Sequence, residues 1–350
     1  MPIVNYISAD SKIYVRYAKK EFRACLGVSL AFENVKSFER RYYKFFEELK
    51  DEFNINNPRL VFKSYDLKTV FPYEKYPEIV RRFVDKVISD DVFVNVVFSS
   101  FNTQKISRVR YLKKEIHIMD FLRGHLSQYY AYIPVWKTLQ SMKWFGMNVY
   151  LDYFSPKEVT NAWKYIKENQ CKVYVVPKGD QCNPLISSAD IILEYLDYIM
   201  EKEKIRLDVK EIQHLLTNLG ISKSFVKHVG SKDIPKIIPR SDDKIPKLED
   251  YIHPIVYVIP ERIIDKEKDW VERSQIYQYL LWFAWKVNGG LKFISDQDFK
   301  LVNRRDYLVY LGETGKNKAR YLSEVLNLVM PDNVVGLDDI TEMQKNQKVY

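Results

Sequence analysis

The chain has 350 residues, 46% of them hydrophobic, enough to bury one large core or two modest ones, so two domains are expected. Three cysteines, Cys25, Cys171 and Cys182, exclude a disulfide framework, and none forms the C-x-x-C pair of a zinc or redox site. The net charge of +9 favours polyanionic partners such as nucleic acid. Cys171 and Cys182 could bridge strand and loop, but buried free thiols are the expectation for a cytosolic protein. The longest apolar run, near Tyr279 to Val287, is too short and interrupted to cross a bilayer. No basic-then-apolar leader opens the chain, so a soluble, cytoplasmic protein without membrane contact is expected. The heavy use of Lys, Ile and Glu is of the kind seen in proteins from hot environments.

In chain order, PIVNYISAD alternates apolar and polar residues and ends at Asp10, as a half-buried strand does. ACLGVSLAF, Ala24 to Phe32, predicts a second strand. Val35 to Phe53 carries Phe38, Tyr42, Phe45, Phe46 and Leu49 at helical spacing and stops before an Asn-rich turn. A short strand, Arg59 to Phe62, leads into Ser64, Tyr65 and Asp66. Ile79, Val80, Phe83, Val84 and Val87 predict a helix over Tyr76 to Ile88, and the β-branched run Val92 to Phe98 belongs at a sheet centre.

Phe101 to Tyr130 reads as an insertion, first basic and then helical. Its basic part holds Lys105, Arg108, Arg110, Lys113 and Lys114, no acid, and Tyr111 interleaved. Such residues suit a phosphate backbone with a stacked base; a solvated loop or helix face fits them as well. A helix from Pro134 to Phe145 follows. Met147 to Met200 then reads as strand, helix (Pro156 behind Ser155 at its start), strand, loop and helix, a mixed α/β pattern. Beyond it, a helix at Leu207 to Leu219 precedes a passage rich in Lys and Pro, with Pro235, Pro239, Pro246, Pro254 and Pro260. The domains expected are therefore 1–205, a helix and linker over 206–260, and a smaller α+β domain over 261–350. In the last, a long helix from Asp265 closes at Asn288-Gly289-Gly290, a strand spans Tyr307 to Leu311, a helix spans Lys318 to Met330, and a polar tail ends the chain. Trp282 and Trp285, with Tyr277, Leu280 and Leu281, form either core or a surface for a protein partner.

Candidate chemistry rests on carboxylates where elements hand over: Asp10, Asp66, Asp152 and Asp190. Divalent magnesium or manganese needs hard oxygen ligands converging from several elements. Asp152, between Leu151 and Tyr153 in an apolar strand, needs a partner or a metal. Asp190 is either a ligand or a first-turn acid capped by Ser187 or Ser188. Asp10 and Asp66 are ligands or turn residues, and Glu194 and Asp197 lie on the helical face of Asp190 as further ligands or a solvated face. His117 and His125 lie eight apart, too far for a metal pair, and His214, His228 and His253 are scattered. Gly312 to Lys316 lacks the spacing of a phosphate loop and reads as a turn before a helix, and no G-x-S-x-G offers a nucleophilic serine.

The succession ISAD, ACLGVSLAF, VFKSYDL, VFVNVVF, YLDYF and SSADII resembles the uncharacterised RNase H-like family, which opens on a D-E-S-G-type strand and closes on an A-D-L helix start. The resemblance covers about Ile3 to Met200. It implies an α/β fold, an RNase H-like mixed sheet flanked by helices, and two Mg²⁺ or Mn²⁺ ions cutting a phosphodiester of DNA or RNA. By position, Asp10 matches the opening acid, Asp152 the acid of the later strand and Asp190 the closing acid, with Asp66 as a further metal ligand. Ser11 and Lys12 stand where the family has its acid, Ser and Gly. That departure favours an alternative: a catalytically inactive nucleic-acid-binding or scaffold subunit of a defence or mobile-element complex. A third reading has the Trp-rich C-terminal helix docking a protein partner.

Overall fold

The computed structural model describes residues 6–14, 22–102, 108–111, 114–117, 146–152, 170–205, 207–228, 254–261, 274–294 and 302–347. The chain is α/β, built on a mixed sheet. Strands β1 (Tyr6–Tyr14), β2 (Phe22–Phe32) and β3 (Val92–Asn102) form an antiparallel meander. Beyond β1, β6 (Asn148–Asp152) and β7 (Lys172–Val176) run parallel to it, and β8 (Ser224–His228) runs parallel to β3 at the other edge. The order is β7-β6-β1-β2-β3-β8. The run Val92 to Phe98, apolar but for the buried Asn95, lies between two strands, as its predominantly apolar character demands.

Alternation along β1 decides which face the site occupies. Tyr6, Ser8 and Asp10 pair across to Phe32, Leu30 and Val28, which pack into the main core against the helices. Those helices are α1 (Val35–Phe53), α3 (Tyr76–Val87), α5 (Pro184–Glu203) and α6 (Val209–Asn218), and the short α2 (Ser64–Thr69) packs on α5. The stripe Phe38, Tyr42, Phe45, Phe46 and Leu49 is the buried face of α1, between the Asn34 cap, which accepts from the Ser37 amide at 3.0 Å, and left-handed Asn54 (φ 52°). Ser8 donates to the Leu185 carbonyl at 2.6 Å, fastening β1 to the first turn of α5.

Residues 59–62 are not a strand. Side chains take the ladder's place: the Phe62 amide donates to the Tyr42 hydroxyl (3.3 Å), Ser187 donates to the Phe62 carbonyl (2.7 Å), and Lys50 donates to the Arg59 carbonyl (3.2 Å). The basic segment contributes a hairpin, β4 (Arg108–Tyr111) against β5 (Lys114–His117), with Arg110 opposite Glu115, rather than a loop or helix face. Lys105, Lys113, the rest of the insertion, the helices expected at 134–145 and after Pro156, and Pro235, Pro239 and Pro246 lie outside the described residues.

The stretch 206–260, expected as helix and linker, supplies α6 and β8 to the first sheet and β9 (Ile255–Ile259) to a second. There β9, β10 (Gly290–Phe293), β11 (Tyr307–Tyr310) and β12 (Val334–Gly336) are all parallel, in the order β10-β9-β11-β12. Helices α7 (Gln275–Lys286), α8 (Gly312–Arg320) and α9 (Leu337–Lys345) alternate with these strands. The smaller unit thus combines helices with a small parallel sheet. Tyr277, Leu280, Leu281 and Trp282 are its core, so the aromatic stripe is not a docking surface. The helix expected at 318–330 begins at Gly312 and closes in a π-turn over 321–325, so Gly312 to Lys316 is helix, not a preceding turn. A Cβ on Gly315 would sit 2.9 Å from the Ile259 carbonyl oxygen, so this glycine serves the close approach of α8 to β9.

The two units meet tightly. The Leu291 amide donates to the Pro177 carbonyl at 2.8 Å, Trp285 Nε1 donates to the Tyr43 hydroxyl at 2.9 Å, and Cys182 packs into the smaller unit's core. Among the described residues, no helix is long and apolar enough to cross a membrane.

Candidate functional site

Asp10 and Asp152 are placed by strand pairing. The parallel register from Tyr6↔Asn148 to Ala9↔Leu151 brings them to the next step on neighbouring strands, on the helix-covered face. Asp152 Oδ1 accepts from the Gly179 amide at 2.9 Å, which draws the turn after β7 over the end of β6. Lys178 adopts the left-handed conformation (φ 58°) to make that turn, and a Cβ on Gly179 would lie 2.5 Å from Ile186 Cδ1. Gly179 opens the short helix α4 (Gly179–Cys182), which carries Asp180.

Asp180 stands between a cation and another acid. Its Oδ2 lies 3.3 Å from Lys63 Nζ, while its Oδ1 is buried and has no hydrogen-bond partner among the described residues. The second acid, Asp190, is not in the first turn of its helix: α5 begins at Pro184 behind Asn183, whose side chain accepts from the amides of Leu185 and Ile186. Ser187 and Ser188 are buried and donate to the carbonyls of Phe62 and Pro184, so neither caps Asp190. Asp190 instead caps α2, its Oδ2 accepting from the Ser64 amide at 2.6 Å. Burial and then the Asp180 charge push the Asp190 carboxyl up to about 7, against the pull of the Ser64 amide and Lys63.

Asp66 has a different set of partners. Its Oδ2 accepts from the Lys63 amide at 3.0 Å and lies 2.8 Å from Arg59 Nη2. Arg59 is only 2% exposed and lies over the Phe62 ring at 4.8 Å. Lys63 itself is drawn in by the acids: burial works to lower its ammonium, and Asp180, Asp66 and Asp190 outweigh that, leaving it raised. Glu194, one turn beyond Asp190, pairs with Lys68 at 3.6 Å. Asp10 and Asp152 thus lie on neighbouring strands, the Gly179 amide ties the turn that carries Asp180 to Asp152, and the charges of Asp180 and Lys63 act on Asp190.

Sequence reasoning missed Lys63 and Asp180. Asp180 carried a signal, since Pro177-Lys178-Gly179 ahead of it marks a turn directly after an apolar strand. Lys63 carried none beyond its place before Ser64. The other candidates have ordinary partners: His214 bonds Asn218 (3.0 Å) and the His228 ring lies against Phe98. Cys171 and Cys182 are buried and not joined in a disulfide. Burial, with the charges of Asp180 and Asp152, raises the Cys182 thiol and keeps it inert.

A hard divalent cation takes carboxylate oxygen. All four acids offer carboxylate oxygen, and the orphaned Asp180 Oδ1 is the kind of buried acceptor that an ion satisfies. Among the described residues, however, no three His, Cys, Asp or Glu side chains already stand close enough together to hold an ion.

Comparison with known proteins finds a strong relative. An uncharacterized protein of Archaeoglobus fulgidus is 37% identical over 334 residues, covering 92% of this chain and 96% of that protein. Among solved structures, the chain shows likeness to the PCNA:RNase HII complex from Archaeoglobus fulgidus (12% identity, 70% of this chain and 100% of that chain, TM-score 0.28). It also shows likeness to ribonuclease H2 from Pyrococcus horikoshii OT3 (16% identity, 62% of this chain and 80% of that one, TM-score 0.28). A point mutant of Bst-RNase HIII is similar at 11% identity, with 62% and 56% covered and a TM-score of 0.29. At those scores none of the three structures carries an argument about this chain. The sequence match is another matter: spanning residues 7–248 and so including Asp10, Lys63, Asp152, Asp180 and Asp190, it makes the chain a member of the family described as Domain of unknown function (DUF8203).

Proposed function

We propose that this chain is a nuclease that hydrolyses phosphodiester bonds of DNA or RNA with Mg²⁺ or Mn²⁺. The carrying observation is the Asp180–Asp190 pair, in which one carboxylate has a buried oxygen with no hydrogen-bond partner among the described residues and the other is raised by burial and then by its neighbour's charge. The mixed sheet flanked by helices supports the reading too, since that is the architecture the RNase H-like resemblance implies.

Asp180 and Asp190 would hold the ion, with Asp10 and Asp152 as the carboxylates of the adjoining strands. Bound there, a divalent ion lowers the pKa of an attacking water and steadies the departing oxygen. The chain's own part is orientation. The Gly179 and Ser64 amides fix one oxygen each of Asp152 and Asp190, and the Arg59–Asp66 pair fixes the start of α2 that presents Lys63 and Ser64. Arg108, Arg110 and Lys114 of the hairpin, with Lys105 and Lys113 beside it in sequence, would bind the phosphate backbone without sequence preference.

The test is cleavage of labelled single- and double-stranded DNA and RNA with Mn²⁺, comparing wild type with Asp152→Ala and Asp190→Ala. Cleavage lost in both variants is the expected result, and equal activity in all three proteins would sink the site. Ser11 and Lys12, which follow Asp10 in place of an acid, Ser and Gly, favour the inactive binding subunit as second reading, and salt-sensitive binding without cleavage is its signature.

A further inference from the structure

Two of the three most exposed aromatic rings among the described residues, Tyr65 (65% exposed) and Tyr73 (61%), lie on the segment that starts at Ser64, whose amide is bonded to Asp190 at 2.6 Å. Helix α2 is anchored on its inner side. Ser64 Oγ bonds the Tyr76 hydroxyl at 2.9 Å, Asp66 lies 2.8 Å from Arg59 Nη2, and Leu67 belongs to the main core. The Tyr65 carbonyl accepts from the Thr69 hydroxyl at 3.1 Å. With those residues fixed inward, α2 turns Tyr65 outward, one residue from the amide that meets Asp190. The short helical turn Tyr73–Lys75 packs against α2 and places Tyr73 on the adjoining element. No hydrogen bond or ring contact engages either side chain among the described residues.

We propose that Tyr65 and Tyr73 are a stacking platform for unpaired bases of a single nucleic-acid strand. The inference rests on nucleic-acid binding, which both readings above share, and needs no metal ion. A protein partner calls for a continuous apolar patch, whereas Lys63, Lys68, Thr69, Glu74 and Lys75 flank these rings in sequence. A base needs only one ring face, and aromatic rings set among basic residues suit a single strand. The net charge of +9 suits its phosphates. A duplex keeps its bases stacked inside and offers the rings nothing, so their contribution is confined to single strands.

The test is fluorescence anisotropy of the full chain in EDTA with labelled oligothymidine, oligouridine, an abasic strand and a DNA duplex of equal length. The proteins are wild type, Tyr65→Ala, Tyr65→Phe, Tyr73→Ala and Tyr321→Ala. Tyr321→Ala removes a comparably exposed ring (53%) from the smaller unit, beside exposed Val325 and Leu326. Tyr65→Ala and Tyr73→Ala should each weaken binding of at least one base-bearing single strand about fivefold or more, with the salt slope unchanged because a ring neutralises no phosphate. Tyr65→Phe and Tyr321→Ala should bind as wild type, and all five proteins should bind the duplex and the abasic strand alike. Thermal melting checks that each variant is folded, and Tyr65→Gln replaces Tyr65→Ala should that variant not fold. Wild-type binding of both base-bearing strands by folded Tyr65→Ala or Tyr73→Ala, an equal loss in Tyr65→Phe or Tyr321→Ala, or an equal loss on the duplex or abasic strand overturns the inference while nucleic-acid binding stands. No strand or duplex bound by any of the proteins overturns the nucleic-acid reading beneath it.

Discussion

Replacing Asp190 with asparagine keeps an oxygen to accept the 2.6 Å bond from the Ser64 amide and removes the charge. In the wild-type fold, burial and Asp180 raise this carboxyl from 3.8 to about 7. A carboxyl raised by folding stabilises the folded state fully below its unfolded value, and that contribution is lost as pH rises through about 7. At about 1.4 kcal/mol for each pH unit, the full span corresponds to on the order of 4 kcal/mol. Asp190 retains intermediate exposure, which trims the expected effect to about 2–3 kcal/mol by solvent screening. Urea denaturation in EDTA at pH 4, 5, 6, 7 and 8 measures it. Wild type should lose about that much stability between pH 4 and pH 8 relative to Asp190→Asn, and the variant should be the more stable protein at pH 8. Added Mn²⁺ should restore wild type at pH 8 and leave the variant unchanged, since only the charged site gains by binding. Two stability profiles that run parallel across the whole pH range would refute the reasoning.

Other consequences follow from single interactions. Arg59→Met leaves the Asp66 carboxylate without its ion partner in a buried setting and should cost about 3–5 kcal/mol in urea denaturation. Asp152→Ala removes the acceptor of the Gly179 amide, an expected loss of about 1 kcal/mol by the same assay, small beside its abolition of cleavage. Gly290→Ala would place a Cβ 2.4–2.7 Å from Pro177 atoms, and a fall in stability of about 3 kcal/mol is expected in thermal melting. Replacing Arg108, Arg110 and Lys114 together by alanine should flatten the salt dependence of single-strand binding by a slope of roughly 2, at about 0.7 for each phosphate no longer neutralised.

The larger pattern could be read from the sequence where periodicity was long and unopposed. The α1 stripe from Phe38 to Leu49 and the run from Val92 to Phe98 left one answer each, and both lie where their spacing put them. Short parallel strands were harder. Ile255 to Ile259 is five buried residues between Pro254 and Pro260; the prolines suggested a linker, yet they only punctuate a strand whose partners, Gly290 to Phe293 and Tyr307 to Tyr310, lie far along the chain. Ser187 and Ser188 resemble capping residues, but Asn183 with Pro184 at the first helical position is the stronger start signal and moves Asp190 into the second turn. The candidate site could be read at Asp152, because a charge in an apolar strand must be accounted for, and at Asp10 only from its place in the opening strand. It was illegible at Lys63 and Asp180, because a lysine or an aspartate beside other charged residues reads as surface until the fold shows what it faces.

The bond from the Leu291 amide to the Pro177 carbonyl has a bearing on how this molecule can be divided. The turn that begins at Pro177 carries Asp180, so one end of the candidate site is sewn into a strand of the second sheet. Severing the chain between the sheets would strip that turn of its anchor and uncover Cys182, now packed in the other unit's core. An excised first unit would thus keep Asp10 and Asp152 on their strands yet lose the support behind Asp180. The smaller unit is a structural wall of the site, and whatever grips or displaces that wall would be felt at the carboxylates.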